Sequence, residues 1–279
     1  MTAVTGPPPL SAPRDGARRP LHNRARVRIR VLGAHGGSTP RHRQTSFLVG
    51  DALALDAGAL TEALSLEEQG RLAAVLLTHA HLDHTASLPF LVENVFGRAA
   101  RPVEIAAPAD VLLSLKAHLF NDAIWPDFSR LPDHEEPAVA FRTLAPGVPA
   151  AVGGITVTPV PVTHVVPAYG YLLDDGVASV VFSGDTAPTE AIWAAARAAR
   201  NLRAAFVECS FPDELAAIAE ASRHLTPATV RAEVAKLPAG VPVFLYHMKP
   251  PTVDRLAAQV AAFGGGRIRL LADGEELDL

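Results

Sequence analysis

From residue 26 the run Arg-Val-Arg-Ile-Arg-Val-Leu makes every second side chain apolar, the period of a strand that lies at an edge or exposes one face. It meets Gly33-Ala34-His35-Gly36-Gly37, a turn whose glycines let another backbone come close. Two more apolar runs, 45–49 and 52–55, flank Gly50-Asp51 and stop at Asp56-Ala57-Gly58. The pattern then becomes helical over 60–72 and 89–96, and a third helix is expected over 109–120, with Pro108 suited to its first turn. The short buried runs 73–77 and 103–105 between them read as strands. Residues 121–137 mix prolines, charges and the exposed-looking aromatics Trp125 and Phe128, which predicts a long loop or broken helix beside a pocket.

Beyond that loop, strands at 155–162, 169–173, 179–182, 204–207, 243–245 and 267–271 are interleaved with helices at 189–199, 226–236 and 253–263. The order predicts an α/β protein with two mixed β-sheets and helices outside, as one continuous domain over 26–279. Residues 1–25 are rich in Pro and Arg and carry no period, so a mobile tail without the apolar region of a signal peptide is expected there.

Composition changes this picture little. Apolar residues make up 49% and charged residues 19%, and no apolar run is long enough to span a bilayer, so a soluble, cytoplasmic protein is expected. The single cysteine, Cys209, excludes an internal disulfide and fits a reducing compartment; no nearby histidine suggests a reactive thiolate. A net charge of −4 argues against a whole-protein grip on nucleic acid, although Arg14, Arg18, Arg19, Arg24, Arg26, Arg28 and Arg30 crowd the N-terminal region.

Candidate chemistry is concentrated in Thr78-His79-Ala80-His81-Leu82-Asp83-His84. Three imidazoles and a carboxylate stand within six residues, where a strand gives way to a helix, and these are the usual ligands of zinc-like ions. Asp56, His164, Asp185 and His247 also stand at or just beyond strand ends. A lone histidine is more often a hydrogen-bonded structural residue, but this recurrence supplies two ligand sets and a shared carboxylate, as two ions about 3.5–4 Å apart require. His35 beside its glycines reads as a loop residue, and His22, His42, His118 and His134 have no partners by spacing.

The run His79-Ala80-His81-Leu82-Asp83-His84, preceded by Leu55-Asp56-Ala57-Gly58 and followed by His164, Gly184-Asp185-Thr186 and His247, resembles the metallo-β-lactamase fold superfamily from Val27 to the C-terminus. The resemblance implies a four-layer αββα sandwich with its two sheets face to face. It also implies His79, His81 and His164 on one divalent ion, Asp83, His84 and His247 on the other, Asp185 bridging, and Asp56 orienting the histidine turn from behind. Zinc is the favoured metal, with manganese or iron also fitting.

Within the superfamily, Ile124-Trp125-Pro126, Glu208-Cys209-Ser210-Phe211, Ser222-Arg223-His224-Leu225-Thr226-Pro227 and His247-Met248-Lys249-Pro250 resemble the class II cyclic-nucleotide phosphodiesterases and, more distantly, the tRNA 3′-end endonucleases. Thr85 stands where that class carries an apolar residue, but no ligand position is lost. The implied function is hydrolysis of a cAMP-like small molecule to a 5′-monophosphate by a hydroxide formed between two cations. Asp83, His224 and Glu208 are the catalytic candidates, with His224 as general acid and Glu208 orienting it. Trp125 and Phe128 would either stack on a base or anchor their loop, and Lys249 would be a phosphate contact or, the preferred reading, a solvated lysine.

Two other activities fit the same ligands: RNA 3′ processing, and hydrolysis of another ester such as a lactone, sulfate or thioester. Only 20 residues separate His164 from Asp185, which leaves no room for the RNA-gripping arm that the endonuclease resemblance would imply. A non-catalytic metal-binding protein is the reading from another class. The expected partner is a small phosphodiester, with neither nucleic acid nor membrane; a homodimer is left open.

Overall fold

A computed structural model describes residues 27–97, 101–133, 135 and 137–279. The expectations for the N-terminal tail, His22 and His134 lie outside these residues. The first half of the chain forms β1 (Arg28–Gly33), β2 (Ser46–Val49), β3 (Leu53–Leu55), α1 (Leu60–Ala63), α2 (Leu66–Arg71), β4 (Ala74–Leu76), α3 (Leu82–Thr85), α4 (Leu88–Val95), β5 (Val103–Ala107), α5 (Ala109–His118) and β6 (Val139–Thr143). The second half forms β7 (Ala150–Val152), β8 (Ile155–Pro161), β9 (Tyr169–Asp174), β10 (Ser179–Phe182), α6 (Ala191–Ala198), β11 (Leu202–Glu208), α7 (Ala216–Ser222), α8 (Pro227–Val234), β12 (Val243–Tyr246), α9 (Val253–Phe263), β13 (Ile268–Leu270) and β14 (Glu276–Asp278).

The strands make two seven-stranded sheets, β14-β1-β2-β3-β4-β5-β6 and β13-β12-β11-β10-β9-β8-β7. Each is mixed: β3 to β6 and β10 to β13 run parallel, while the remaining neighbours are antiparallel. The sheets meet face to face through aromatic rings. Phe47 on β2 packs edge-on against Phe182, Phe206 and Tyr246 of the other sheet at 5.1, 5.9 and 5.3 Å between centroids. Such pairs contribute about 0.5–1.5 kcal/mol each beyond the area they bury. Outside, α5 covers β5 and β6, α6 covers β8 to β10, and α9 packs on β13, so the expected sandwich of helices around two sheets is present.

Several local expectations need correction. The helix over 60–72 is two helices, because Ser65 starts α2 with a capping box: its hydroxyl accepts from Glu68 N–H at 3.3 Å, and Glu68 Oε2 accepts from Ser65 N–H at 2.8 Å. Of the two readings for β1, the strand with one exposed face holds, since Arg28 and Arg30 are the more exposed positions between buried neighbours, and the edge reading does not, since β14 pairs along its outer side. β6, β7 and β14 went unseen because runs of three to five residues show too little alternation, and α7 because its face is mostly exposed. Phe128 is buried rather than exposed; it packs on Phe96, while half-buried Trp125 packs on Phe90. Each ring thus has an aromatic packing partner on or next to α4.

Candidate metal centre

The parallel strands of both sheets point their C-terminal ends at one place. Asp56 follows β3, the His79 turn follows β4, and Asp185, Glu208 and His247 follow or end β10, β11 and β12; His164 comes from the loop after β8. Side chains at strand ends in an α/β protein are the ones free to converge, since the strands themselves are fixed by packing. Two of these positions carry backbone strain. Asp56 and His247 have φ of +57° and +68°, a left-handed conformation uncommon outside glycine and typical of functional sites.

The side chains form two groups with one carboxylate between them. His79, His81 and His164 bring three ring nitrogens within 4.8 Å of one another, and so do the ligand atoms of Asp83, His84 and His247. Asp185 Oδ2 lies 3.7 Å from His79 Nε2, 3.3 Å from His84 Nε2 and 3.1 Å from His247 Nε2. The cluster fits a cation better than it fits itself: His79 Nε2, His84 Nε2 and Asp185 Oδ1 are buried with no hydrogen-bond partner. Unpaired buried polar atoms of this kind are costly, and a divalent ion among them removes the cost.

The outer nitrogens are fixed by hydrogen bonds. Asp56 Oδ2 accepts from His84 Nδ1–H at 2.7 Å, and its Oδ1 accepts from the Thr78 backbone N–H at 2.8 Å. Thr78 Oγ1 lies 3.0 Å from His79 Nδ1, and the Arg223 carbonyl accepts from His164 Nδ1–H at 3.2 Å. Ser210 Oγ donates to Glu208 Oε2 at 2.9 Å and accepts from His247 Nδ1–H at 2.8 Å. Each of these four imidazoles thus has its Nδ1 engaged and turns Nε2 inward.

Burial shapes the charges. It pushes His79 well below its usual pKa and lowers His81, His164 and His247, with neighbouring imidazoles adding to the effect at His79 and His81 and Asp185 opposing it; the neutral ring is the form that binds metal. His84 goes the other way, because Asp185 and Asp56 on its two sides outweigh its burial. Asp185 is buried and Asp83 half-buried, yet the surrounding imidazoles, His247 foremost, hold both below the usual carboxylate range.

Beside this cluster stands His224, at 5.0 Å between centroids from the His164 ring and 5.2 Å from that of His247. Glu208 Oε1 accepts from its Nδ1–H at 2.8 Å. Burial opposes a charge on His224, but the Glu208 carboxylate prevails and raises its pKa. Lys249 is not a solvated lysine: its ammonium donates to Gly36 O at 2.9 Å and sits 3.4 Å from Asp83 Oδ2. Cys209 is fully buried and its thiol is pushed up by burial, so it takes no part. His35 is likewise structural, 3.2 Å by Nδ1 from Asp273 Oδ1, while His118 is exposed.

A family model described as a beta-lactamase superfamily domain matches residues 51–248. The chain belongs to the metallo-β-lactamase superfamily. This superfamily member is 29% identical over 192 residues to a ribonuclease Z of Mycobacterium sp. (strain KMS), with 64% of this chain and 67% of that one covered. Among solved structures it is similar to the metallo-beta-lactamase fold protein YhfI of Bacillus subtilis, with TM-score 0.71, 19% identity and 90% and 99% of the two chains covered. It is also similar to unliganded yeast PDE1, with TM-score 0.74, 19% identity and 91% and 100% covered. Membership of the superfamily, together with a His/Asp cluster able to bind metal, makes the protein a metal-dependent hydrolase. No helix among its described residues is long and apolar enough to cross a membrane.

Two members of the site escaped the sequence reading. Ser210 bridges Glu208 and His247, and Thr78 bridges Asp56 and His79. A signal existed for Ser210: it stands only two residues after Glu208, just past the end of β11, where its short hydroxyl can reach the same carboxylate.

Proposed function

We propose that this superfamily hydrolase is a phosphodiesterase that opens a 3′,5′-cyclic nucleotide, cAMP-like, to the 5′-monophosphate. The observation that carries the reading is the His224–Glu208 pair beside the ligand cluster, because a buried proton donor there serves a reaction whose leaving group is a poor one. In this reading His79, His81 and His164 hold one ion, Asp83, His84 and His247 hold the other, and Asp185 faces both. When bound, two divalent ions, zinc by preference, supply Lewis-acid stabilisation of the phosphoryl oxygens and lower the pKa of a water toward neutrality.

The residues of the chain do the rest. With Nδ1 tied to Glu208, His224 presents Nε2 to the substrate and delivers its proton to O3′ as the P–O3′ bond breaks, a contribution on the order of 10²–10⁴-fold. A water oxygen replaces O3′ on phosphorus as the third terminal oxygen of the monophosphate, and the 5′ ester bond stays intact. Lys249, held over Asp83 by Gly36 O, offers an ammonium to the diester anion. Asp56, Thr78 and Ser210 keep the imidazoles oriented.

A second reading, RNA 3′-end processing, is favoured by the likeness to ribonuclease Z. Against it, the stretch from His164 to Asp185 is filled by β9, a tight turn and β10, with no inserted arm. Metal-loaded protein is expected to hydrolyse cAMP, cGMP or bis(p-nitrophenyl) phosphate. If all three survive, the phosphodiesterase reading fails; cleavage of a precursor tRNA at catalytic protein concentration would put the RNA reading first.

A further inference from the structure

A cavity of about 650 Å³ lies between the loop carrying Gly37, Pro40, Arg41 and His42 and the Pro250-Pro251 step. Small-molecule pockets span roughly 300–1,000 Å³, so its size suits part or all of a nucleotide. Both of its walls begin at the metal centre. Gly36 lies so close to that centre that a β-carbon there would come within 2.6 Å of His247 Cε1 and of Lys249 Nζ; only glycine fits. Gly37 and Pro250 are the next residues along each wall, which puts the cavity one step from the lysine and histidine proposed to meet the phosphodiester.

The wall is built in advance of any ligand. Thr39 and His42 exchange backbone hydrogen bonds of 3.0 and 3.1 Å, Thr39 Oγ1 lies 2.7 Å from His42 Nδ1, and the His42 ring packs edge-on against His35 at 4.5 Å. Asp273 holds the base of the loop by accepting from Ala34 N–H at 2.8 Å and Arg43 N–H at 2.7 Å. Its chemistry is distinctive. Pro40, Pro250 and Pro251 offer flat apolar faces without donors, while the Arg41 guanidinium and His42 Nε2 make no hydrogen bond or ion pair among the described residues. Among the described residues no carboxylate lines the cavity, which does not favour a second cation site.

We propose that this cavity is the subsite for the heterocyclic base of the substrate nucleotide, an inference that rests on the phosphodiesterase reading of the adjoining centre. The proline faces pack against the ring, and Arg41 and His42 serve its edge or stack on it, as guanidinium and imidazole groups do with nucleobases. A bare phosphate or small alkyl ester would leave the cavity unused.

Calorimetric titration of the metal-loaded protein with 5′-AMP and with ribose 5-phosphate tests this directly. AMP is expected to bind at least about tenfold more tightly, the fold-change that stacking of one base supports. In the Arg41→Ala, His42→Ala double variant the gap is expected to close to within about twofold. Arg41 is exposed and His42 half-buried on the loop, and an unchanged circular dichroism spectrum checks the fold. Equal affinities in the unmodified protein would overturn the inference, as would a tenfold gap that survives in the double variant. Failure of the underlying reading looks different: cAMP would go unhydrolysed while the gap between AMP and ribose 5-phosphate persisted.

Discussion

The two ligand groups are held in contrasting ways. In the His79, His81 and His164 group only His79 is backed by a carboxylate, Asp56, and that through the Thr78 hydroxyl; His164 is backed by a main-chain carbonyl. In the Asp83, His84 and His247 group each imidazole is tied to a buried carboxylate, His84 directly to Asp56 and His247 through Ser210 to Glu208. Carboxylate backing makes an imidazole a stronger donor and fixes its ring, so the second group is the more rigidly organised half. It is also the half joined to His224, because Glu208 serves both histidines. In the proposed reaction, substrate protonation and metal retention would therefore share one buried acid, Glu208, on that side.

The largest expected effect comes from removing what the groups share. Asp185→Asn takes away the carboxylate lying between them, and turnover of a diester is expected to fall by more than the roughly 10–100-fold that an outer partner costs. Metal analysis should show loss from both groups; retention of a full complement would mean that Asp185 does not face both ions. Next comes Asp56→Asn, expected to weaken metal binding about 10–100-fold in the Asp83–His84–His247 half, where it bonds His84 directly, and less in the other half, which it reaches only through Thr78. Chelator competition that resolved two equal losses would erase the contrast between the halves.

A finer probe is Ser210→Ala, for which about tenfold weaker metal retention is expected, at the lower end of outer-partner effects. Turnover should fall more for cAMP, whose alkoxide needs a proton, than for a nitrophenyl ester, and Ser210→Thr should restore part of both. A uniform loss across substrates would place Ser210 in packing alone. The smallest effect belongs far from either group, in the capping box of α2. Glu68 there has its pKa lowered to about 2, chiefly by the Ser65 N–H it accepts and then by Arg30. Its folded pKa lies below the unfolded one, so its stabilisation is complete above about pH 4.5 and declines as pH falls toward 2. Glu68→Gln is expected to cost about 1 kcal/mol in urea unfolding at neutral pH, less at pH 3, and nothing in metal affinity.

How far the sequence exposed this site follows from distance along the chain. His79 to His84 are legible because four ligands fall in one turn, and Asp56, His164, Asp185 and His247 because each stands at or just past the end of an apolar run. The sheets were legible for the same reason, apart from strands too short to show a period. What stayed hidden depends on partners brought from afar. Nothing near Lys249 in sequence indicates that Gly36 will come close enough to hold its ammonium, and His35 is fixed by Asp273, 238 positions away. Hydroxyls such as Thr78 and Ser210 are too common to stand out until folding places them between an acid and an imidazole.

The ligand groups draw on both sheets, and Asp83 and His247 lie 3.2 Å apart across 164 positions of chain. On a ribosome, the histidine turn is made early and must wait for more than half the protein before its last partners emerge. Until then it is an incomplete chelator among the many metals of the cell. The whole set of candidate ligands is therefore presented only near the end of synthesis, once the strands of the second sheet have been made.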